Sequence, residues 1–168
     1  MDEKNLDIYG NAAIPWSRPL AELKAFEAGP GTSVWLSTTR PDGRPHTAGI
    51  GAVWRDDRFW IVSGPGTQKS KNLARNPSCT IALGLPDIDL VVEATAERVT
   101  DDATLQRVVK AFQEQGWPAS VKDGAFTADY SAPSAGRPPW YLYELTPTVA
   151  FGVATAEPHG AMRWGFGD

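Results

Sequence analysis

Cysteine and histidine are almost missing from this 168-residue chain, which holds one Cys and two His. A lone thiol, Cys79, excludes an internal disulfide framework and any zinc site built from several cysteines. His46 and His159 are too few for a His-rich metal centre, so no metal site is expected. No apolar run approaches the roughly 18 residues that a membrane helix needs. The opening Met1-Asp2-Glu3-Lys4-Asn5 has neither the basic nor the apolar region of a signal peptide. These absences predict a soluble, cytoplasmic protein with no membrane partner. Acidic residues are missing from one long window: between Arg58 and Pro86 there is no Asp or Glu, while Arg58, Lys69, Lys71 and Arg75 all fall there. That window of 29 residues carries +4 and the other 139 carry −8, within a net charge of −4. The overall sign argues against a nucleic-acid partner, whereas the local basic island suits a small anionic ligand.

What is present is an ordinary globular composition, 42% hydrophobic and 21% charged. Seven of the 17 aromatic residues are Trp, rings that fill cores and interfaces and also line cofactor pockets. Residues 1–19 read as an N-terminal arm and 20–168 as one domain. A short helix is predicted near Leu20–Ala28, ended by Gly29-Pro30-Gly31. Strand signals follow at Val34–Thr39, Pro45–Trp54 and Phe59–Ser63, separated by the turns Pro41-Asp42-Gly43 and Arg55-Asp56-Asp57. After Gly64-Pro65-Gly66 a short helix capped by Thr67 is expected, stopped by Asn76-Pro77. Strands resume at Cys79–Leu85 and Leu90–Val99. Residues 102–115 then set Leu105, Val108, Val109 and Phe112 on one helical face. Residues 116–139, rich in Pro, Gly, Ala and Ser, read as a long loop of the kind that often carries function. Two last strands, Trp140–Leu145 and Thr148–Val153, precede a tail. Many short strands with few helices predict a mainly β, small antiparallel barrel.

The strongest chemical feature is Gly64-Pro65-Gly66-Thr67-Gln68-Lys69-Ser70-Lys71. Cations in a first helical turn oppose the helix dipole, and a bound phosphate or carboxylate would reverse that cost. A solvated basic helix end is the rival reading, and the P-loop spacing is absent. The strand Thr47-Ala48-Gly49-Ile50-Gly51-Ala52 is short of side chains. Either a planar ligand approaches its backbone or the strand bends there. His46 and His159 read as structural or surface residues, and Cys79 as an inert buried thiol. Asp56-Asp57 and Asp101-Asp102 read as turn and cap residues. No Ser-His-Asp arrangement can be assembled, so the catalytic residue set is open and a cofactor is expected to supply the chemistry.

Asp42-Gly43-Arg44-Pro45, Phe59–Ser63, Thr67-Gln68-Lys69 and Asn72-Leu73-x-x-Asn76-Pro77 together resemble the pyridoxamine 5'-phosphate oxidase-like superfamily of flavin and deazaflavin proteins. The stretch Asp89–Asp101 and the pair Arg163-Trp164 are similar to its actinobacterial flavin/deazaflavin oxidoreductase branch. The resemblance implies a split β-barrel of the FMN-binding type, a homodimer, and two cofactor sites at the subunit interface. A Ser-Arg-Lys triplet that binds the flavin phosphate falls on Thr67, Gln68 and Lys69, so one arginine has become glutamine. Lys71 would restore charge and suit the longer anionic tail of coenzyme F-420. Ring contacts fall on Thr47, Ala48, Gly49, Ile50, Val62 and Ser63, and Arg163 and Trp164 match a tail that closes over the site, from the other subunit. The family's arginine-histidine signature for vitamin B6 substrates is absent.

The resemblance thus implies an oxidoreductase that binds F-420 and transfers hydride to an unsaturated or conjugated small molecule. An FMN-dependent enzyme of the same fold is the first alternative. A flavin- or deazaflavin-binding carrier without turnover, its ring covered by the 116–139 loop, is the second. A barrel that has lost its cofactor is the third.

Overall fold

In a computed structural model of the chain, residues 1–26 and 32–167 are described. Eleven strands and three helices follow in the order β1 (Asp2–Asn5), α1 (Ser17–Lys24), β2 (Val34–Thr39), β3 (Pro45–Ile50), β4 (Ala52–Arg55), β5 (Arg58–Ser63), α2 (Gln68–Leu73), β6 (Ser78–Gly84), β7 (Ile88–Val99), α3 (Asp102–Glu114), β8 (Ser120–Lys122), β9 (Ala125–Thr127), β10 (Tyr141–Ala154) and β11 (Ala161–Gly165). The Gly29-Pro30-Gly31 stop lies outside the described residues, and α1 itself ends at Lys24. Among the described residues no helix is long and apolar enough to cross a membrane.

All strand pairings are antiparallel, and they run β1-β11-β10-β7-β6-β2-β3, with β4 on β5 and β5 on β10. β10 organises the sheet. One of its edges pairs with β7 along nearly its whole length. Its other edge is divided: Tyr141–Leu145 pair with β5, and Val149–Val153 with β11. Pro147 sits at that division, where the β7 register shifts between Pro147 and Val149. Proline brings no N–H to a ladder, so the change of partner falls where a donor is missing anyway.

The circuit closes through Gly51. Pro45–Trp54, expected as one strand, is two: β3 pairs with β2, and β4, beginning at Ala52, pairs with β5. Gly51 is the corner at which the chain leaves one side of the barrel for the other. A strand without a side chain at that point bends readily.

The inward face follows from period-two alternation. In β7, Ile88, Leu90, Val92, Ala94 and Ala96 are buried and the residues between them are exposed. They pack with Leu36, Ile81, Phe59, Ile61 and Leu145 into the main core. Each such side chain contributes about 1.5–3 kcal/mol by leaving water. A second core lies on the other face of β4, β5 and β10, where Val53, Trp60 and Leu142 meet Leu105, Val108, Val109 and Phe112 of α3. That is the helical face expected from spacing. Asp101 caps it, its carboxylate accepting from the N–H groups of Ala103 (3.2 Å) and Thr104 (3.0 Å).

Three expectations need correction. The N-terminal arm is part of the fold: Asp2–Asn5 pair with β11, while Ile14 and Trp16 are buried in the main core. The stretch 116–139 is not all loop, because it contains the β8–β9 hairpin with Phe126 wholly buried. The last two predicted strands, Trp140–Leu145 and Thr148–Val153, are one 14-residue strand.

Candidate functional site

The site forms where the Gly51 corner, β5, α2 and the 130–137 segment meet. α2 is short and its polarity is unusual, because Lys69, Ser70 and Asn72 are all buried beside Leu73. Buried polar groups must be paired or they destabilise the fold. The hydroxyls meet that requirement in full. Thr67, extended at φ −74° and ψ 155°, caps the helix and accepts from the Ser70 N–H at 3.3 Å. Its own proton goes to the Gly64 carbonyl at 2.9 Å. Ser63 therefore donates to Thr67 (2.8 Å), and Ser70 donates to Ser63 (2.8 Å). A hydroxyl has one proton and two lone pairs, so Thr67 has no capacity left for a ligand.

Asn72 is equally committed. It is fully buried, accepts from the Gln68 amide at 2.7 Å, and donates to the Thr38 hydroxyl of β2 at 2.9 Å. Lys69 is different. It is 6% exposed, and among the described residues nothing accepts from it or pairs with it. Burial holds its ammonium below the ordinary lysine value of 10.5.

Lys69 lines a cavity of about 380 Å³, within the usual size range for small-molecule sites. One wall is Gly49, Ile50, Gly51, Ala52 and Val62, and the opposite wall is Phe112, Gln115, Trp117 and the segment from Tyr130 to Ala135. Lys69 is the only charged residue of that lining. The Trp117 indole N–H donates to the Tyr130 carbonyl at 2.7 Å, which orients the aromatic wall. The 130–137 segment closes down on α2, with the Gly64 N–H on the Ala135 carbonyl at 3.3 Å. A Cβ on Gly64 would stand 2.5 Å from that carbonyl oxygen, so glycine is needed for close approach.

The residues singled out from sequence divide accordingly. Gly49, Ile50, Val62 and Lys69 meet in the cavity. Ala48 lies on the same inward face of β3 as Ile50, but Thr47 points outward, its hydroxyl 2.8 Å from that of Ser37. Ser63 is buried inside the hydroxyl chain. Thr67 borders a separate cleft with Gly64–Gly66 and Arg137. Gln68 turns back along α2 to Asn72, and Lys71 is exposed.

Arg163 and Trp164 do not form a free tail, because β11 is clamped between β1 and β10. Trp164 is wholly buried, donating its indole N–H to the Ile14 carbonyl at 3.2 Å, and Arg163 pairs with Asp2 at 3.1 Å. Within one protomer neither reaches the cavity. Cys79 is buried and its thiol is pushed up to about 12, consistent with an inert residue. His159 is exposed in a loop.

Sequence reasoning set aside His46, which lies on the inward face of β3 with Ala48 and Ile50. Its Nδ1 is buried with no hydrogen-bond partner. Burial first, and then the cations Arg40 and Lys69, hold its pKa below the ordinary 6.5. Phe112, Gln115 and Trp117 were also missed. Their one signal in the sequence was position, at the junction of a helix end and a long Pro/Gly-rich stretch.

No curated protein sequence matches the chain. Solved structures resemble it at low identity. An F420 reductase aligns with TM-score 0.51 and 21% identity over 70% of this chain and 87% of its own. A pyridoxamine 5'-phosphate oxidase-related, FMN-binding protein from Nostoc punctiforme gives 0.60 and 15%, over 94% and 93%. A NimC/NimA family protein from Clostridium acetobutylicum gives 0.56 and 19%, over 88% and 92%. Likeness at this level establishes a shared fold and no more. The family profile described as pyridoxamine 5'-phosphate oxidase matches residues 20–154, which takes in β2 to β10, α2 and every wall of the cavity. This chain belongs to the pyridoxamine 5'-phosphate oxidase family.

Proposed function

We propose that this protein is a cytoplasmic oxidoreductase that binds the deazaflavin coenzyme F-420 beside β3 and α2 and reduces an unsaturated or conjugated small molecule. One observation carries the reading: Lys69, a buried residue with no hydrogen bond or ion pair among the described residues, faces an otherwise uncharged cavity edged by the glycine-bearing backbone of Gly49–Ala52. Partial desolvation of an unpaired ammonium is unfavourable, as its lowered pKa reflects, and an anionic ligand offsets that. Lys69 would hold the cofactor's anionic group, and Gly49 and Gly51 would let a flat ring approach the backbone. The bound cofactor supplies the hydride. Phe112, Trp117 and the 130–135 segment exclude water from the acceptor. The reading takes the final proton from solvent.

FMN is the second reading, favoured by the Nostoc relative, which is described as FMN-binding and covers nearly the whole fold. The same reading includes a homodimer. Its support is the outward face of the sheet, where Trp35 (49% exposed), Val91 (38%) and Val153 (57%) leave apolar surface in water beside the half-buried Phe151. Sedimentation should then give twice the chain mass, and a monomer would remove the interface site.

Equilibrium titration of F-420 and FMN, side by side, tests cofactor choice. Tighter binding of F-420 supports the first reading and tighter binding of FMN moves the assignment to the second. Binding of neither overturns both. Turnover of reduced cofactor with an acceptor separates an enzyme from a carrier.

A further inference from the structure

Four indole N–H groups of this fold donate to backbone carbonyls. Trp60 donates to Arg55 (3.0 Å), Trp117 to Tyr130 (2.7 Å), Trp140 to Gly136 (3.2 Å) and Trp164 to Ile14 (3.2 Å). Trp54 is different. It is 7% exposed, and its Nε1 is buried with no hydrogen-bond partner among the described residues. An edge-on contact with Phe59, 4.7 Å between ring centroids, fixes the ring in the main core. A buried donor left unpaired is destabilising. An indole nitrogen donates and never accepts, so what Trp54 lacks is an acceptor.

Trp54 also lines a second cavity, of about 140 Å³, between β4 and the C-terminal ends of α1 and α3. Gln115 lines both this chamber and the main cavity. Ala52 and Phe112 face the main cavity, while their chain neighbours Val53 and Ala111 face the chamber. The two spaces therefore lie back to back, with Gln115 as the shared wall. Charge in the chamber is already matched. Arg55 pairs with Glu114 at 2.5 Å, and Lys24 stands in the last turn of α1, where a cation complements the helix dipole. What the chamber offers a ligand is an uncharged donor.

We propose that this chamber binds an uncharged carbonyl oxygen of a ligand that reaches it from the main cavity past Gln115, with the Trp54 indole N–H as donor. A cavity of roughly 150 Å³ holds a benzene ring, so the chamber takes a small carbonyl-bearing group. The rest of the ligand lies in the main cavity. A carboxylate is disfavoured, because it would bring an unmatched charge to the negative ends of two helices. The proposal rests on the function proposed above only in making that ligand the hydride acceptor. Trp54 anchors it and takes no part in the hydride step.

Acetophenone, α-methylstyrene and benzoate are the probes, nearly alike in shape and differing in carrying a carbonyl, a methylene or a carboxylate. They are titrated into the full chain without added cofactor and followed by proton–nitrogen correlation NMR of the indole N–H groups. The Trp54 signal is the one lost in Trp54→Phe, a change that keeps an aromatic ring beside Phe59. Acetophenone is expected to move that signal downfield, and α-methylstyrene is not. The affinity ratio of acetophenone to α-methylstyrene should fall about tenfold in Trp54→Phe. Should that variant not fold, the shift in the parent protein decides alone. A Trp54 signal unmoved at saturating acetophenone overturns the proposal, as does an unchanged ratio in a folded Trp54→Phe, or tighter binding of benzoate than of acetophenone. An unmoved signal in a protein that still binds F-420 or FMN ends this proposal and leaves the cofactor reading standing. A signal that moves in a protein that binds neither cofactor keeps the chamber and removes the cofactor reading.

Discussion

Two polar clusters share α2 and have opposite fates. Ser63, Thr67 and Ser70 form a closed chain in which every hydroxyl proton has an acceptor. Lys69 lies between Thr67 and Ser70 in sequence, yet among the described residues its ammonium, like the Nδ1 of His46, has no hydrogen-bond partner. The difference separates scaffold from site. A satisfied buried group rigidifies the loop-to-helix turn, and an unsatisfied one leaves the fold with an energy that only a ligand recovers. The glycine turn and the helix cap, which sequence reasoning offers as an anion cradle, are scaffold. Of the residues in that predicted cradle, Lys69, two residues past the cap, is the one that lines the cavity.

The sharpest way to break that division is Lys69→Met, for which the largest effect is expected. Loss of a buried charge-assisted contact is worth about 1.5–3 kcal/mol, so cofactor affinity should fall about 10- to 100-fold. Thermal stability should rise at the same time, because an unpaired buried charge is gone. The sign follows from linkage. The folded state binds the Lys69 proton more weakly than the unfolded chain, so the penalty is fully present at neutral pH and fades as pH climbs toward 10.5. Stability measured from pH 7 to 10 should therefore rise more in the parent than in the variant. A variant that loses affinity and stability together would make Lys69 part of the scaffold.

On the scaffold side the pattern should invert. Asn72→Ala leaves the Gln68 amide and the Thr38 hydroxyl without their buried partner. It should destabilise by about 2–3 kcal/mol, which lowers Tm by roughly 5–10 °C in a chain of this length. Ser70→Ala removes one donor from the hydroxyl chain and should cost about 1–2 kcal/mol, with cofactor affinity changed less than about threefold. A loss of affinity in Ser70→Ala larger than its loss of stability would mean that the hydroxyl chain touches ligand.

The frame of the molecule was legible where local chemistry decides it. β2 begins and ends where its β-branched run does, α2 starts at its Thr67 cap, and the apolar stripe of α3 faces the second core. Legibility failed where long-range pairing decides. Asp2–Asn5 are polar, and become a strand only because β11 offers an edge. β8 and β9 have three residues each, too few for alternation to register. Gly51 was open to two readings, and it turns out to border the cavity as well as turn the corner. The candidate site was half legible for the same reason. Basic charge near α2 shows in composition, but whether a given side chain is saturated depends on partners such as Thr38, 34 residues before Asn72. His46 looked inert because what makes it notable, Lys69, lies in another element.

Gln68 carries the smallest expected effect and the finest distinction. In the family pattern its position belongs to an arginine, and a change to arginine looks, on sequence, like the restoration of a phosphate contact. The structure turns the Gln68 side chain along α2, where its amide donates to Asn72 at 2.7 Å, and does not place it among the residues that line the cavity. An arginine there would add its charge on the flank of the helix, partly in water, where such charges contribute only about 0–1 kcal/mol. Gln68→Arg should therefore change FMN affinity by less than about fivefold, with F-420 affinity moving by no more. A gain of tenfold or more for FMN alone would show that residue 68 reaches the bound phosphate. The boundary between scaffold and site would then have to be redrawn to include the first turn of α2.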